Sequence, residues 1–298
     1  MTRRVVVVGD AMLDVVVRAL APLAPASDTP SRVRVGRGGA AANLAVAIVT
    51  ADPGLDVVYV AAVGDDAAGE MFRRELDESG VSSRLELRRG DTGVVVALVG
   101  ADGERSMMTD RGVNAQLSLE HVRAVLDEGV DHLHVSGYTV LDEASRGLVP
   151  ELLGQARRRG ATTSVDVCSA GPLREVGASV FVEAASAATM LFANEEEALE
   201  LSGCREVERA LADLAGQWDE VVVTRGARGA MVRRGETTIS EPAVAGDAVD
   251  TTGAGDCATG TYLAARLGGA ELSTSLKRAM RAAALVVEGL GSRGQSRL

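Results

Sequence analysis

The chain has 298 residues and a net charge of −11; 46% of its residues are hydrophobic and only 2% are aromatic. This acidity argues against binding to the nucleic-acid backbone, and so few rings argue against stacking platforms for single strands. No apolar run reaches the roughly 18 residues that a membrane span requires, so a membrane is not an expected partner either. Three cysteines without metal-ligand or disulfide spacing favour a reduced, cytoplasmic protein.

Apolar runs of strand length alternate with helical patterns along the chain. Several of the runs are continuous, which is typical of parallel strands covered on both faces. The predicted strands are Val5–Val8, Val57–Val63, Leu133–Val135, Thr163–Val167, Met190–Ala193 and Val221–Thr224, and the predicted helices include Gly69–Ser79, Ser118–Glu128, Ala144–Arg159, Glu195–Leu201 and Val207–Gln217. This alternation predicts an α/β fold, a three-layer αβα sandwich around a mostly parallel central sheet.

Four shorter strand patterns interrupt this rhythm. They are Val15–Arg18, Arg32–Val35, Thr92–Val99 and Arg105–Met108, and the last two flank a hairpin turn, Gly100-Ala-Asp-Gly103. We predict one domain over residues 1–298, with a small β-sheet lid formed discontinuously by about 15–36 and 92–108. Surface hairpins without a role are the alternative. Val33 and Val35 alternate with arginines and form a face suited to a homodimer through the lid.

The segment Asp250-Thr-Thr-Gly-Ala-Gly-Asp256 precedes a helical pattern over Cys257–Leu267. Its small residues form a turn into a helix N-terminus, where unpaired backbone N–H groups and the helix dipole favour an anion. A phosphoryl group in transfer is such an anion, and Asp256 at the rim can accept a proton. Taken alone, the segment fits a simple helix N-cap equally well. A dinucleotide-binding loop is a weaker third interpretation, because no acidic ribose partner follows.

A second glycine-rich segment, Gly36-Arg-Gly-Gly-Ala-Ala-Ala-Asn43, leads into a helical pattern over Leu44–Thr50. Gly38 and Gly39 let the backbone approach a ligand closely. Asn43 offers both a donor and an acceptor to sugar hydroxyls. The alternative is an asparagine that caps the helix after a flexible loop.

These two segments, in this order and spacing, resemble the two signatures of the ribokinase-like (PfkB-type) carbohydrate kinase family, and the likeness covers essentially the whole chain. Three lesser motifs of that family are also present: Val8-Gly9-Asp10-Ala-Met-Leu-Asp14, Asn194-Glu-Glu-Glu197 and Thr224-Arg-Gly226-Ala-Arg-Gly229. Taken alone, the first motif can be a loop with a solvated carboxylate, the second a capping box and the third an ordinary turn after a strand. Their agreement in order and position favours the family.

The resemblance implies an ATP-dependent phosphotransferase that moves the γ-phosphoryl to a hydroxyl of a small sugar or nucleoside-like acceptor. It implies acceptor binding by Asp14, Gly39, Asn43 and Asp256, with Asp256 as the catalytic base and the amides of Gly253, Ala254 and Gly255 stabilising the phosphoryl group. It also implies nucleotide binding by Asn194, Thr224, Gly226 and Gly229, and Mg²⁺ held through water by Asn194 and Glu197. Asp250 lies where some members bind K⁺.

Three positions depart from the ribokinase pattern, and one of them, Thr261, lies in the second signature where alanine or glycine is preferred. Met12 and Ala40 replace polar residues of the acceptor pocket, which puts ribose itself in doubt. Lys277 is the only lysine, so the lysine-dependent phosphate sites of P-loop and protein kinases are not available. Two other functions stay open: a non-catalytic sugar- or nucleotide-binding regulatory protein of the same fold, and an oxidoreductase with a nucleotide cofactor.

Overall fold

The valine-rich runs become the strands of two sheets. The computed structural model describes residues 2–99, 105–244 and 253–288. In chain order its strands are β1 (Arg4–Val8), β2 (Met12–Ala19), β3 (Ser31–Gly38), β4 (Asp56–Gly64), β5 (Ser82–Arg88), β6 (Gly93–Val99), β7 (Arg105–Asp110), β8 (His132–Val135), β9 (Thr162–Asp166), β10 (Met190–Asn194), β11 (Glu220–Thr224), β12 (Ala230–Arg234) and β13 (Thr237–Glu241).

The larger sheet has the spatial order β13-β12-β11-β10-β9-β8-β1-β4-β5 over the described residues. From β11 to β5 every neighbouring pair is parallel, and β12 and β13 add an antiparallel edge. The carboxyl ends of seven strands therefore meet at one edge of this sheet. Ligands of open α/β sheets bind outside that edge.

Helices cover both faces of the larger sheet. They are α1 (Ala40–Ala51), α2 (Ala67–Glu78), α3 (Leu119–Asp127), α4 (Gly137–Leu141), α5 (Glu143–Arg146), α6 (Leu148–Arg158), α7 (Ala170–Val176), α8 (Ala178–Ala185), α9 (Glu195–Ser202), α10 (Val207–Leu214), α11 (Ala254–Leu267) and α12 (Leu272–Val287). In β1, Val6 and Val8 join the core beneath α3, α6, α8, α9 and α10, whereas Val5 and Val7 join the core beneath α1, α2, α11 and α12. The predicted three-layer sandwich is confirmed.

The smaller sheet has the order β3-β2-β6-β7. Strand β2 pairs antiparallel with β3 and parallel with β6, and β6 pairs antiparallel with β7. All four strands overlap the four patterns that interrupt the α/β rhythm of the sequence. The hairpin turn predicted between β6 and β7 lies outside the described residues.

Some element bounds differ from the sequence prediction. The helix predicted over Ala144–Arg159 is divided at Gly147 into α5 and α6. Helix α1 begins at Ala40, ahead of the predicted Leu44, because the alanines after Gly39 are already helical. Among the described helices, none combines the length and the apolarity needed to cross a bilayer.

Candidate active site

The starts of α1 and α11 meet at the carboxyl edge of the large sheet. The Asn43 Nδ2 group donates a hydrogen bond to Asp256 Oδ2 over 2.8 Å and joins two segments 213 residues apart. Farther along both helices, Gly260 permits their close approach, since a Cβ there would lie 2.6 Å from the Leu44 carbonyl oxygen. Close helix packing thus brings together the two glycine-rich segments singled out in the sequence.

The N-terminus of α11 opens to the space outside this edge. Gly253 caps the helix with a left-handed backbone, φ 74°, and its carbonyl accepts the first helical hydrogen bond from Cys257 N at 2.9 Å. Helix geometry gives the N–H groups of Ala254 and Gly255 no acceptor inside the helix. Gly255 is exposed, and a Cβ built on it would meet no described atom within 4 Å. Such a helix start is suited to a small anion.

The helix begins earlier than the sequence predicts, at Ala254 rather than Cys257. Asp256 is consequently a residue of the first helical turn, and the predicted turn of small residues is partly helical. The dipole argument for this end of the helix is unchanged. Asp250, the residue assigned to K⁺ by resemblance, lies outside the described residues.

The di-glycine segment packs against Asp14. A Cβ on Gly38 would collide with the Asp14 carboxylate, so this position requires glycine while the carboxylate stays in place. Gly39 has φ +91°, and a Cβ there would lie 2.5 Å from the Asp10 carbonyl oxygen. Arg37 Nη1 lies 3.4 Å from Asn43 Oδ1. The di-glycine segment thus contacts Asp14, and Asn43, which follows it closely in the sequence, contacts Asp256.

A charged cluster that the sequence did not reveal lies where β7 returns to the large sheet. Arg111 Nη2 lies 2.6 Å from Asp10 Oδ2, and Arg111 Nε lies 3.3 Å from Asp142 Oδ2. The same guanidinium lies 5.7 Å from the centroid of the Tyr138 ring, a cation–π distance. Arg111 thus holds the exit of the smaller sheet against the main sheet.

Burial dominates the electrostatics of Asp10. Asp10 is 8% exposed. Burial raises the pKa of its carboxyl to about 6 although Arg111 opposes the shift, and the charge of Asp142 adds to it. The ion pair at 2.6 Å favours the charged form, so the two influences oppose each other. The direction of the shift follows from nearly complete removal from water.

Asp10 is expected to make stability fall as pH rises. A carboxyl whose pKa is higher in the folded protein contributes most below its unfolded pKa, near 4, and this contribution is lost as pH rises through 6. We expect the unfolding free energy of the wild type, minus that of Asp10→Asn, to fall by about 2–3 kcal/mol between pH 4 and pH 7. Urea titrations at both pH values measure it, with the exposed Asp28→Asn as the reference. A difference that is independent of pH would contradict the assignment.

Asn194 and Glu197 form a complete capping box at the start of α9. Asn194 Oδ1 accepts from Glu197 N at 2.9 Å, and Glu197 Oε2 accepts from Asn194 N at 2.8 Å. Asn194 Nδ2 donates to Glu197 Oε1 at 2.7 Å. The capping box, which the sequence analysis gave as an alternative interpretation of this motif, is present. It places a buried carboxylate at the end of β10.

Burial also sets the electrostatics of Glu197. Burial raises the pKa of Glu197 to about 7 against the hydrogen bond from the Asn194 amide, and the charges of Asp166, Glu196 and Asp256 add to the rise. The charge of Asp256 therefore reaches Glu197. The described residues contain no cluster of three or more acidic, histidine or cysteine side chains that could bind a metal ion directly.

The turn after β11 forms the next part of the edge. Thr224 is in register with Asn194 on the neighbouring strand. Gly226 and Gly229 have φ of 55° and 87°, and a Cβ on Gly229 would overlap the Glu241 carbonyl oxygen. The Arg225 amide closes the turn by donating to the Gly229 carbonyl over 2.7 Å. Both glycines are thus required by the backbone, and the turn lies beside Asn194.

Comparison with known proteins gives a consistent result. The model of a family described as "pfkB family carbohydrate kinase" matches residues 2–297. An ATP-dependent ribose-1-phosphate kinase of Halopiger xanaduensis is 30% identical over 278 residues, which are 90% of this chain and 87% of that protein.

Solved structures agree in fold. The adenosine kinase of Sinorhizobium meliloti superposes with a TM-score of 0.88 at 26% identity, covering 99% of this chain and 97% of that one. A putative ribokinase II of E. coli, solved with ATP and Mg²⁺, superposes with a TM-score of 0.85 at 23% identity, covering 100% and 96%. The likeness extends over both sheets and all the helices described above.

Proposed function

Since the chain belongs to the pfkB family of carbohydrate kinases, we propose that it moves the γ-phosphoryl of ATP to a hydroxyl of a small sugar or nucleoside-like acceptor. Family membership makes the chain a sugar kinase. The nature of the donor and the class of acceptor are the proposal. The relative from Halopiger is named an ATP-dependent kinase of a phosphorylated ribose, and the S. meliloti neighbour is an adenosine kinase. The first name supports ATP as the donor, and both names support a ribose-containing or related polyol as the acceptor.

The hydrogen bond between Asn43 and Asp256 carries this proposal. It fixes one carboxylate oxygen of Asp256, at 2.8 Å from the Asn43 amide. The carboxylate is thereby oriented in the first turn of α11, at the carboxyl edge of the large sheet. An acceptor hydroxyl held there by Asp14, Gly39 and Asn43 would lie between a proton acceptor and an anion site. A helix cap alone does not require this contact between distant segments.

In the proposed reaction Asp256 takes the proton of the attacking hydroxyl. The amides of Gly253, Ala254 and Gly255, with that of Asp256, face the negative charge that spreads over the phosphoryl oxygens in transfer. Because these donors are fixed by the helix backbone, they need no reorganisation during the reaction. Positioning and charge stabilisation account for the catalysis, and no covalent intermediate is needed.

Asn194, Thr224, Gly226 and Gly229 would line the nucleotide along the strands β10 and β11. Asn194 and Glu197 would hold Mg²⁺ through water molecules, and the raised pKa of Glu197 fits a carboxylate that becomes fully charged when a cation approaches. A bound Mg²⁺ would neutralise charge on the phosphates. We include K⁺ near Asp250 only as an implication of the family resemblance.

The smaller sheet is proposed to act as the lid of the acceptor site. Asp14 projects from β2 toward Gly38, so one face of this sheet contributes to the acceptor pocket. On the other face, Val35, Val15, Val96 and Met108 form one apolar row across the four strands. In this apolar row Val35 is 44% exposed and Met108 is 53% exposed. We propose that the row is covered by the same row of a second copy.

The dimer has a direct test. Val33→Glu with Val35→Glu places one charge on the apolar row and one beside it on the same face of β3, and is expected to convert a dimer to a monomer in sedimentation velocity. The paired control is Arg32→Glu with Arg34→Glu, on the same strand but the opposite face, which should remain dimeric. A wild-type chain that is monomeric at all concentrations would overturn the dimer but not the kinase proposal.

A substrate panel tests the proposed activity. ADP release would be measured with sugars, sugar phosphates and nucleosides, each with Mg²⁺–ATP. Turnover of at least one acceptor, abolished in Asp256→Asn, supports the proposal. Tight ligand binding in calorimetry without turnover of any acceptor would favour a regulatory binding protein instead. We place the reaction in the cytoplasm, where ATP is available and cysteine thiols such as that of Cys168 stay reduced.

A further inference from the structure

A row of polar side chains crosses one face of the large sheet beneath otherwise apolar helices. His132 and His134 on β8 alternate in space with Thr162, Ser164 and Asp166 on β9, and both imidazoles and Ser164 are fully buried. His132 Nδ1 lies 2.7 Å from Thr162 Oγ1, and His132 Nε2 lies 2.8 Å from Ser164 Oγ. His134 Nδ1 lies 2.8 Å from the same Ser164 Oγ. The row ends at the carboxyl edge of the sheet, where His134 Nε2 lies 3.6 Å from Asp166 Oδ1.

The charge of Asp166 decides which groups donate and which accept in this row of hydrogen bonds. Burial by itself would raise the pKa of Asp166, but the His134 imidazole, the Gly137 amide and the Cys168 thiol outweigh it and lower the pKa. His134 Nε2 is buried, lies 3.6 Å from Asp166 Oδ1, just beyond hydrogen-bond distance, and has no other partner among the described residues. A lone pair on this nitrogen would face the carboxylate oxygen, so a neutral His134 carries its proton on Nε2.

The remaining links follow from the single proton of a serine hydroxyl. Because His134 Nδ1 is then an acceptor, Ser164 donates to it and must accept from His132 Nε2. His132, whose pKa is lowered to about 3 by burial and by His134, is neutral and accepts at Nδ1 from the Thr162 hydroxyl. Every donor in the row therefore points toward Asp166.

Asp166 also fixes the start of α4. Its Oδ1 accepts from the Gly137 amide at 2.8 Å, and its Oδ2 accepts from the Cys168 thiol at 3.1 Å. Position 137 requires glycine, because a Cβ there would overlap the Asp166 carbonyl oxygen. The next residue, Tyr138, packs against Arg111 beside the acceptor site.

Tyr138 differs from the other aromatic residues of the chain. Of the seven, all in the described part of the chain, six are fully or almost fully buried in the core: Tyr59, Phe72, Phe181, Phe192, Trp218 and Tyr262. Tyr138 alone is only partly buried. Burial, together with the charges of Cys168, Asp166, Asp256 and Glu197, raises the pKa of its hydroxyl. The ring thus lies against Arg111, and the charges of Asp256 and Glu197 reach its hydroxyl.

We propose that Asp166, beside which the oriented imidazole row ends, is a positioning residue of the acceptor site that anchors the helix start carrying Tyr138. The inference rests on the proposed function, because that function defines the acceptor site. The hydrogen-bond geometry does not depend on that function. The role is one of position, since Asp166 Oδ1 accepts the hydrogen bond from the Gly137 amide that fixes the helix start.

The protonation sites of the two imidazoles can be measured directly by NMR, because the protein contains only three histidines and three tyrosines. Two-bond ¹H–¹⁵N spectra at pH 8, where an ordinary imidazole is neutral, should show both His132 and His134 protonated on Nε2, with His121 as the third signal. Protonation of His134 on Nδ1 would overturn the proposed orientation. With 3-fluorotyrosine, Asp166→Ala should shift and broaden the Tyr138 resonance and leave those of Tyr59 and Tyr262 in place. An unchanged Tyr138 signal would overturn the anchoring role.

Steady-state kinetics distinguish a positioning role of Asp166 from an effect of its charge. Asp166→Ala is expected to raise KM for the acceptor about tenfold, the loss of one charged hydrogen bond, with KM for ATP within about twofold. Asp166→Asn keeps an oxygen for Gly137 and His134 and should stay within about threefold of wild type. Ser164→Ala, which removes a fully buried group of the row without touching Gly137, should also stay within threefold. Equal losses in Asp166→Asn and Asp166→Ala would show a charge effect and refute positioning. If no acceptor is turned over, the kinase proposal fails, whereas the NMR readouts still decide the role of Asp166.

Discussion

Replacement of Asp256 by asparagine is expected to lower kcat by roughly 10²–10⁴-fold, the usual effect of losing a general base. The substitution is nearly isosteric, and an amide oxygen can still accept the hydrogen bond from Asn43 Nδ2. The N-terminal amides of α11 belong to the backbone and stay in place. Nucleotide affinity should therefore change by no more than about threefold, as measured by calorimetry beside steady-state ADP release.

A matched control is Glu120→Gln, which neutralises an exposed acid in the first turn of another helix, α3. It should leave both kcat and nucleotide affinity unchanged. Near-normal turnover in Asp256→Asn would show that this residue is not the base. A joint loss of turnover and of nucleotide binding would indicate instead that the start of α11 has collapsed.

Removal of the Glu220 side chain is expected to cost about 3–5 kcal/mol of unfolding free energy, the usual range for breaking a buried ion pair. Glu220 is 1% exposed. It accepts from the Tyr262 hydroxyl at 2.7 Å and from Arg266 Nη2 at 3.0 Å. These contacts tie β11 to α11, the helix that begins beside Asp256. Glu220→Ala leaves a buried hydroxyl and a nearly buried guanidinium without this acceptor.

Urea unfolding followed by circular dichroism measures the effect. The exposed Glu236→Ala should lie within about 0.5 kcal/mol of wild type. Replacing the whole group by apolar residues, Glu220→Leu with Tyr262→Phe and Arg266→Met, should recover most of the loss, because no unpaired polar group then remains. A cost below about 1 kcal/mol for Glu220→Ala alone would show that the pair adds little to stability.

The layers of the fold could be predicted because burial on both faces imposes a recognisable composition. Strands such as β1 and β4 are nearly all valine and alanine, and each predicted buried strand is present with its bounds shifted by a few residues at most. The strands β5, β12 and β13 lie toward the sheet edges and are more polar, so their patterns were not distinctive. Gly147 ends α5 without a strong signal, since an isolated glycine is tolerated within many helices.

The candidate site was predictable only in part, for a topological reason. The motifs containing Asn43 and Asp256 marked two helix starts, but only the packing of α1 on α11 brings them into contact. Asp10 and Asp166 escaped notice because single carboxylates after strands are common. They become informative once the strand order places them at one edge. The polar row on β9 was hidden within a run that the sequence predicted simply as a strand.

The location of the only tryptophan has a practical consequence for optical work. Trp218 is 2% exposed, its Nε1 donates to the Ala185 carbonyl at 3.2 Å, and it precedes β11, at the sheet edge opposite the candidate site. Its intrinsic fluorescence should report melting of the core and remain silent when nucleotide or acceptor binds. A fluorescence signal for ligand binding therefore needs an indole placed at the candidate site. Trp218→Phe combined with Tyr138→Trp would provide one beside Arg111.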